Sequence, residues 1–250
     1  MSTPFKGILL HSYGRCPLVL KTAALFILFF SLSISPIFGS EPVKIAVDDA
    51  NPPFMYKKGD RAAGLYPFII RYIFQSLQIP VVISPMPWKR ALRYADNGKI
   101  GIAGIYKNED RLRRYDYSNE IFEEKLAIFV HKETDLNYKA MGDLKGRTIG
   151  VIRGWSYGDE FDHYRRQNLF IVDEAQSDEA NFHKLLKKRI DCAIAIEESG
   201  QGILANEIFS SHIVQLHPYV ATNATFLIFS KSDRDAGLWP RFNLPLSALM

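Results

Sequence analysis

Hydrophobic and polar positions alternate along this chain with two different spacings after residue 40. Short runs rich in β-branched residues predict strands, and apolar residues spaced three and four positions apart predict helices. Strands are predicted at residues 43–47, 81–84, 100–105 and 126–130, and helices at residues 65–77 and 88–95. This alternation of strands with helices is typical of an α/β fold with a mainly parallel sheet.

A second series of strands and helices begins after the polar stretch 131–135. Its strands are predicted at residues 147–152, 169–172, 191–196, 213–216 and 225–229, and its helices at residues 158–166, 178–188 and 201–208. The break between the two series predicts two lobes joined by two crossover segments. The first lobe comprises residues 43–131 plus 222–250, and residues 134–218 form a second lobe inserted into it.

The final segment of the chain contains Pro245. A proline in a helix interior costs about 3 kcal/mol, because it removes one backbone donor and clashes with the preceding turn. The last element is therefore predicted to be short or irregular.

Residues 1–40 have the layout of a cleavable secretory signal peptide. Basic residues precede an apolar run at residues 22–34, and the small residues Gly39 and Ser40 provide a cleavage point. The run of about 13 residues is shorter than the roughly 20 that a membrane-spanning helix needs. Export to the periplasm is therefore predicted. An uncleaved anchor is the alternative, because bulky residues occupy the positions three before the cleavage point.

Charge argues against a nucleic-acid partner. The formal net charge is +4, but residues 1–40 contain Lys6, Arg15 and Lys21 and no acidic residue. Removing these three charges leaves +1 for residues 41–250, so the body of the protein has no strong attraction for polyanions.

One segment of the chain has the sequence pattern of a catalytic site. The segment 154–158 reads Gly-Trp-Ser-Tyr-Gly and lies between a predicted strand and a helix, which is the setting of a nucleophile elbow. A serine hydrolase would use Ser156 with Asp173 and His212 or His217. Alternatively, the N–H groups of the same turn would bind a carboxylate, because a helix N-terminus carries partial positive charge. Neither zinc-ligand spacing nor a glycine-rich phosphate loop occurs, so no metal or cofactor is predicted.

Several short sequence motifs follow one another along the chain after residue 40. The most specific is residues 108–118, where Asn-Glu-Asp-Arg is followed by Tyr-Asp-Tyr-Ser. The others are Pro-Pro-Phe at 52–54, Pro-Trp-Lys-Arg-Ala-Leu at 87–92, Asp-Leu-Lys-Gly-Arg-Thr-Ile-Gly-Val at 143–151 and Arg-Ile-Asp at 189–191. In their order and spacing, these motifs resemble those of the extracellular solute-binding proteins of family 3, the amino-acid-type periplasmic binding proteins of ABC transporters. The resemblance extends over nearly all of the chain after residue 40.

The resemblance implies which residues bind the ligand's carboxylate. Arg111 occupies the position of the family arginine that clamps an α-carboxylate, and its planar guanidinium matches that group with two parallel hydrogen bonds. Asn108 stands where the family has a threonine, which changes one hydroxyl contact. Trp155 and Ser156 would add backbone N–H groups and a hydroxyl from the second lobe.

Aromatic residues are expected to line the same cleft. They are Phe54, Tyr56, Trp88 and Tyr106, of which Trp88 matches a family position that packs on the ligand. The acid that usually pairs with the ligand's ammonium group falls at Ile196, so Glu197 or Glu198 would have to replace it. The ligand's amino group is thus the least defined part of this prediction.

Together these features predict an α/β, two-lobed periplasmic-binding-protein fold that closes on its ligand like a Venus flytrap. The resemblance implies a monomer that captures an amino acid or related carboxylate for the membrane permease of an ABC transporter, with no catalytic residue. A dehydratase-like lyase on the same scaffold is a further alternative. A sensor domain would need a membrane-spanning and signalling segment after the binding domain.

Overall fold

Strands and helices alternate through the part of the chain that the computed structural model describes, residues 41–231 and 238–249. The predicted signal peptide, residues 1–40, lies outside these residues. The strands are β1 (Val43–Asp48), β2 (Ala50–Asn51), β3 (Met55–Lys58), β4 (Arg61–Ala63), β5 (Val81–Met86), β6 (Gly101–Tyr106), β7 (Tyr115–Tyr117), β8 (Phe122–His131), β9 (Thr148–Ile152), β10 (Ile171–Ala175), β11 (Cys192–Ile196) and β12 (Ile213–Ser230).

The helices cover the faces of the sheet. They are α1 (Leu65–Ser76), α2 (Trp88–Asp96), α3 (Glu109–Leu112), α4 (Asp159–Arg166), α5 (Asp178–Leu186), α6 (Glu197–Leu204), α7 (Glu207–Ser210) and α8 (Trp239–Leu249), with a 3-10 turn at Met141–Leu144. Helix α1 was predicted from the spacing of its apolar residues. Its buried residues are Tyr66, Pro67, Ile70, Ile73 and Phe74. These side chains fall on one face of a helix with 3.6 residues per turn.

Nine of the described strands form one sheet with two parallel halves. In the first half β1 pairs in parallel with β5 and β6, and in the second half β9 pairs in parallel with β10 and β11. The order of the strands along the sheet is β10-β9-β11-β8-β12-β6-β1-β5, and β7 pairs with β12. Strands β2, β3 and β4 form a separate small sheet. The arrangement confirms the predicted α/β fold.

The two halves are joined by β8 and β12, which run antiparallel to each other. Sequence predicted two short strands at 213–216 and 225–229, but β12 is one strand of 18 residues. The prediction was wrong because the polar residues and proline between these runs resemble a loop. A shift in register between Leu216 and Ala221 absorbs them while the strand continues.

The pairing of β8 bears on where the first lobe ends. Residues Leu126–Val130 pair with Cys192–Ile196 of β11, in the second half of the sheet. The lobe limits drawn from the sequence stay predictions, but this pairing favours a first boundary near residue 125 rather than 131.

Two helical predictions differ from the structure. The helix predicted at residues 201–208 is divided into α6 and α7, because Asn206 ends one helix and caps the next by accepting a hydrogen bond from the Ile208 amide. The C-terminal element, predicted to be short or irregular, is the 11-residue helix α8 with Pro245 inside it. Buried Phe242 and Leu246 provide the packing that offsets the local cost of the proline.

None of the helices in residues 41–231 and 238–249 has the length and apolar character needed to cross a membrane.

Candidate functional site

Most of the predicted binding residues meet at one small cavity between the two halves of the sheet. The cavity has a volume of about 10 Å³, close to the size that holds one water molecule. Its lining residues are Trp88, Gly104, Tyr106, Arg111, Trp155 and Ser156. Five of these six were predicted from the sequence. Gly104 was not predicted. A glycine inside the buried strand β6, two residues before Tyr106, was the available signal, because a glycine there leaves space for another group to approach the strand.

Arg111 is a buried cation that forms no ion pair among the described residues, although the charge of Asp162 acts on it. Its side chain lies in the short helix α3 and is 5% exposed. Nη1 donates a hydrogen bond to the backbone carbonyl of Tyr106 at 3.1 Å, and no carboxylate within the described part of the chain forms an ion pair with the guanidinium. Burial lowers the pKa of Arg111. An uncompensated buried charge is costly, so this arrangement favours an anionic ligand.

Asn108 links Arg111 to the other side of the cleft. Its Oδ1 accepts a hydrogen bond from the Arg111 amide at 2.8 Å and caps α3, while Nδ2 donates to Ser156 Oγ at 3.2 Å. The Ser156 hydroxyl in turn donates to Asp162 in α4 at 2.7 Å. Burial raises the pKa of Asp162, and its hydrogen bond to Ser156 partly opposes the shift.

Trp155 closes the cleft from the second half of the sheet. Its indole Nε1 donates to Asp48 Oδ2 at 2.9 Å, and its ring lies 6.0 Å from the ring of Trp88. A further contact across the cleft joins Ser199 Oγ to Asn51 Oδ1 at 2.8 Å. These contacts hold the two sides together in a closed arrangement.

Trp88 also lines a second cavity of about 300 Å³ that opens beside the first. Other residues around it are Asp48, Asp49, Ile152, Arg153 and Ala175. Since Trp88 borders both cavities, a ligand held at Arg111 has room to extend past its ring.

Three buried carboxylates near the cleft were not predicted from the sequence. Desolvation raises the pKa of Asp48 to about 6, of Glu124 to about 7 and of Asp178 to about 8. The hydroxyl groups of Tyr66 and Tyr106 donate to the two oxygens of Glu124. The sequence signal for these buried acids was their position inside or beside apolar stretches.

Three predicted residues lie elsewhere. Tyr56 is in β3, where it pairs with Ala50, and it lines neither cavity. Phe54 packs in the core, with ring centroids 5.8 Å from Tyr66 and 5.7 Å from Phe122. Glu197 accepts hydrogen bonds from Gln215 Nε2 at 2.8 Å and from the Tyr219 hydroxyl at 3.0 Å. These partners hold its carboxylate on the far side of α6, and it does not line either cavity. Glu198, the other alternative, is exposed.

The serine hydrolase arrangement is not assembled. The Ser156 hydroxyl donates to Asp162 rather than to a histidine, and Asp173 pairs with Lys184 at 2.7 Å. His212 Nδ1 lies 3.3 Å from the carbonyl of Ile208, and the ring of His217 packs against Tyr219. Ser156 therefore lacks the base that nucleophilic attack needs.

No group of three histidine, cysteine or acidic side chains is placed to hold a metal ion within residues 41–231 and 238–249.

The comparison with protein families decides what kind of site this is. The family model described as bacterial extracellular solute-binding proteins, family 3, matches residues 43–236. The chain belongs to this family. The resemblance seen in the motifs is thereby confirmed, and so is the prediction of a binding protein rather than an enzyme.

The curated relatives match a smaller part of the chain. The L-cystine-binding protein TcyJ of Escherichia coli strain K12 is 23% identical over 155 residues, which are 60% of this chain and 57% of TcyJ. The chain thus spans less than two thirds of the length of the curated relatives it matches.

Solved structures share the fold at low identity. Holo ArgBP from T. maritima has a TM-score of 0.70 and 20% identity, covering 83% of this chain and 89% of ArgBP. The arginine-, lysine-, histidine-binding protein ArtJ from Geobacillus stearothermophilus has a TM-score of 0.69 and 18% identity, covering 84% and 89%. A histidine kinase sensor domain with similarity to periplasmic binding proteins reaches 0.72 at 19% identity, covering 84% and 90%. The two-lobed fold is confirmed.

Proposed function

We propose that this protein is a periplasmic solute-binding protein that captures a small amino acid, or a close relative of one, for the permease of an ABC importer. It acts as a monomer whose lobes close on the ligand. The observation that carries the proposal is Arg111, a buried guanidinium at the cleft that forms no ion pair with a carboxylate of the described residues. A ligand carboxylate supplies that partner with two parallel hydrogen bonds.

The surroundings of Arg111 support a ligand held from both sides. Tyr106 and Trp88 contribute from the first half of the sheet, and Trp155 and Ser156 from the second. A ligand that contacts both halves stabilises the closed form, because it binds that form more tightly than the open one. The names of the relatives agree with this class of ligand, since TcyJ is a cystine-binding protein and ArgBP an arginine-binding protein.

Family membership supports a permease as the partner of this protein. Location in the periplasm is supported by the same membership and by the signal-peptide pattern of residues 1–40.

A thermal-shift screen of the purified protein against the common amino acids, L-cystine and small dicarboxylates tests the proposal, with affinities then measured by calorimetry. Arg111→Ala should abolish binding of whichever compound stabilises the parent protein. Arg113→Ala is the matched control. Arg113 is two residues after Arg111 in the chain, but it lies on the surface and pairs with Asp110. Full affinity in Arg111→Ala, or loss of affinity in both variants alike, contradicts the proposed site.

A further inference from the structure

Asp178 is a buried carboxylate with an unused oxygen. Asp178 is the first residue of α5 and is 4% exposed. Its Oδ2 atom has no hydrogen-bond partner in the described part of the chain. The helix is already capped by Ser177, whose hydroxyl accepts from the Ala180 amide at 3.2 Å. Asp178 is therefore not needed as a cap. The helix dipole favours an acidic residue in the first turn, but it gives no hydrogen-bond partner to the buried Oδ2.

Asp178 lies two residues after Gln176, which lines the second cavity together with Ile152 and Ala175. The charge of Asp178 acts on Tyr157, which directly follows the Trp155–Ser156 turn, and raises the pKa of that phenol after the larger effect of burial. Two other carboxylates act on Asp178 itself: Asp48, at the end of β1, and Glu124, in β8. The three acids belong to three different elements that converge at the cleft.

These acids repel one another and lack a cation. Within residues 41–231 and 238–249, no lysine, arginine or histidine forms an ion pair with Asp48, Glu124 or Asp178. Asp48 accepts from Trp155 and Glu124 accepts from two tyrosines, whereas Asp178 keeps an oxygen free. Buried like charges without compensation are typical of a site that a ligand completes.

The register of the sheet places Glu124 close to the position where the motifs led us to expect an acid. That position is Ile196 in β11, which lies opposite Leu126 of β8. Because side chains alternate along a strand, Glu124 is on the same face as Leu126, two residues along. Opposite Glu124 on β12 is Asn223, a second group with an unused polar atom, since its Nδ2 has no acceptor among the described residues.

Aromatic rings complete the surroundings. The rings of Trp88 and Trp155 lie 6.0 Å apart and those of Trp155 and Tyr157 lie 6.4 Å apart. Aromatic faces attract organic cations such as ammonium and guanidinium groups. Carboxylates set among aromatic rings thus favour a positively charged organic group.

We propose that Asp178, with Glu124 beside it, binds the cationic group of the ligand and so replaces the acid that is absent at position 196. The inference rests on the proposed function, in which Arg111 binds the ligand's carboxylate. It assigns the ligand to the carboxylates that also carry an ammonium or guanidinium group, and it assigns no such role to Glu197.

Calorimetry at pH 8.5, above the pKa of about 8 that burial gives Asp178, tests this assignment with L-arginine, L-cystine and glutarate. Glutarate has carboxylates but no cationic group. Asp178→Asn keeps the size of the side chain and removes its charge, so it should weaken the binding of the amino acid at least tenfold while glutarate binds as well as or better than to the parent protein. Glu197→Gln is the matched control and should leave every affinity unchanged.

The outcomes separate this inference from the proposed function. If Arg111→Ala abolishes amino-acid binding while Asp178→Asn leaves it unchanged, the assignment of Asp178 is wrong and the binding function stands. If the parent protein binds neither amino acid, nor any compound of the wider screen, both are wrong. A purely structural Asp178 predicts equal losses for amino acid and glutarate together with a lower melting temperature of the ligand-free variant. Should Asp178→Asn fail to fold, Glu124→Gln tests the same subsite, with the same tenfold loss expected for L-arginine or L-cystine alone.

Discussion

Trp155 donates a hydrogen bond to Asp48 across the cleft, with 2.9 Å between Nε1 and Oδ2. The two residues come from opposite halves of the sheet, so moving the halves apart would break this bond. Asp48 is buried, and the hydrogen bond from Trp155 is the largest effect that lowers its pKa against desolvation. The bond therefore couples closure of the protein to the charge of a buried carboxylate.

Replacing Trp155 with phenylalanine should weaken ligand binding. The variant keeps an aromatic ring but leaves Asp48 without its donor, and a hydrogen bond to a charged group contributes about 1.5–3 kcal/mol. We expect an affinity loss of about tenfold or more by calorimetry. Trp239→Phe is the control, because Nε1 of Trp239 has no partner in the described chain and the ring packs on Phe229 away from the cleft. Equal affinities in both variants would show that the bond does not stabilise the closed form.

The ligand-free protein should become less stable as the pH rises from about 4 to 8. Asp48, Glu124 and Asp178 have folded-state pKa values of about 6, about 7 and about 8, all above those of an unfolded chain, near 4. In this range the folded protein holds protons that the unfolded chain releases, so the free energy of unfolding falls as the pH rises. Urea denaturation at pH 5, 6.5 and 8 measures the slope.

The pH dependence has its own controls. Asp178→Asn removes the carboxyl with the highest of the three pKa values, so it should flatten the curve most strongly between pH 6.5 and 8. Asp173→Asn, at a partly exposed acid paired with Lys184, should leave that slope unchanged. A parent protein whose stability rises steadily from pH 5 to 8 contradicts the protonation argument.

Gly104 should not tolerate a side chain. Its φ of +77° is unfavourable for other residues, and an added Cβ would lie 2.7 Å from the ring of Tyr66. We expect Gly104→Ala to lose about 1–2 kcal/mol from backbone strain and about 1–3 kcal/mol from overpacking, with weaker ligand binding as well. Gly59→Ala has a similar φ of +58° but no atom within 4 Å of the added Cβ, so only the backbone loss is expected. Chemical denaturation of both variants separates the two effects.

The C-terminal helix α8 should be an integral part of the first half of the structure. Phe242 is fully buried, with its ring 5.8 Å from Phe74 of α1. Phe242→Ala should lower the free energy of unfolding by about 3–5 kcal/mol. Leu244→Ala, at a residue that is 76% exposed, should change it by less than about 0.5 kcal/mol. Similar values for the two variants would show that α8 adds little to stability, despite its packing.

The pattern of apolar residues was sufficient to predict most of the fold. The spacing in α1 and the buried runs of β6 and β11 are local signals, and they do not depend on what the chain meets later. Where prediction failed, a distant contact decided the outcome. β12 continues through its polar middle because β8 pairs with it on both sides of the register shift, and α8 tolerates Pro245 because Phe242 and Leu246 pack against the body of the protein.

The site was predictable on one side of the ligand only. Arg111, Trp88 and Ser156 were predicted because they lie in or next to the motifs that resemble those of the family. Glu124 and Asp178 carry no such signal, because an acidic residue in sequence is expected to be solvated. Their burial results from the convergence of three elements far apart in the chain. Glu197 was predicted to bind the ligand's ammonium group because it is next to position 196 in the sequence. In the structure its carboxylate instead accepts hydrogen bonds from Gln215 and Tyr219.

The antiparallel pair β8 and β12 both connects the two halves of the sheet and presents Glu124 opposite Asn223. Any opening of the cleft must twist this pair of strands, and the twist moves those two side chains relative to each other. With Glu124 in the proposed binding site, the strands that join the two halves also carry a residue that contacts the ligand. A substitution at position 124 that altered which compound is retained would at the same time alter how easily the protein opens to release it.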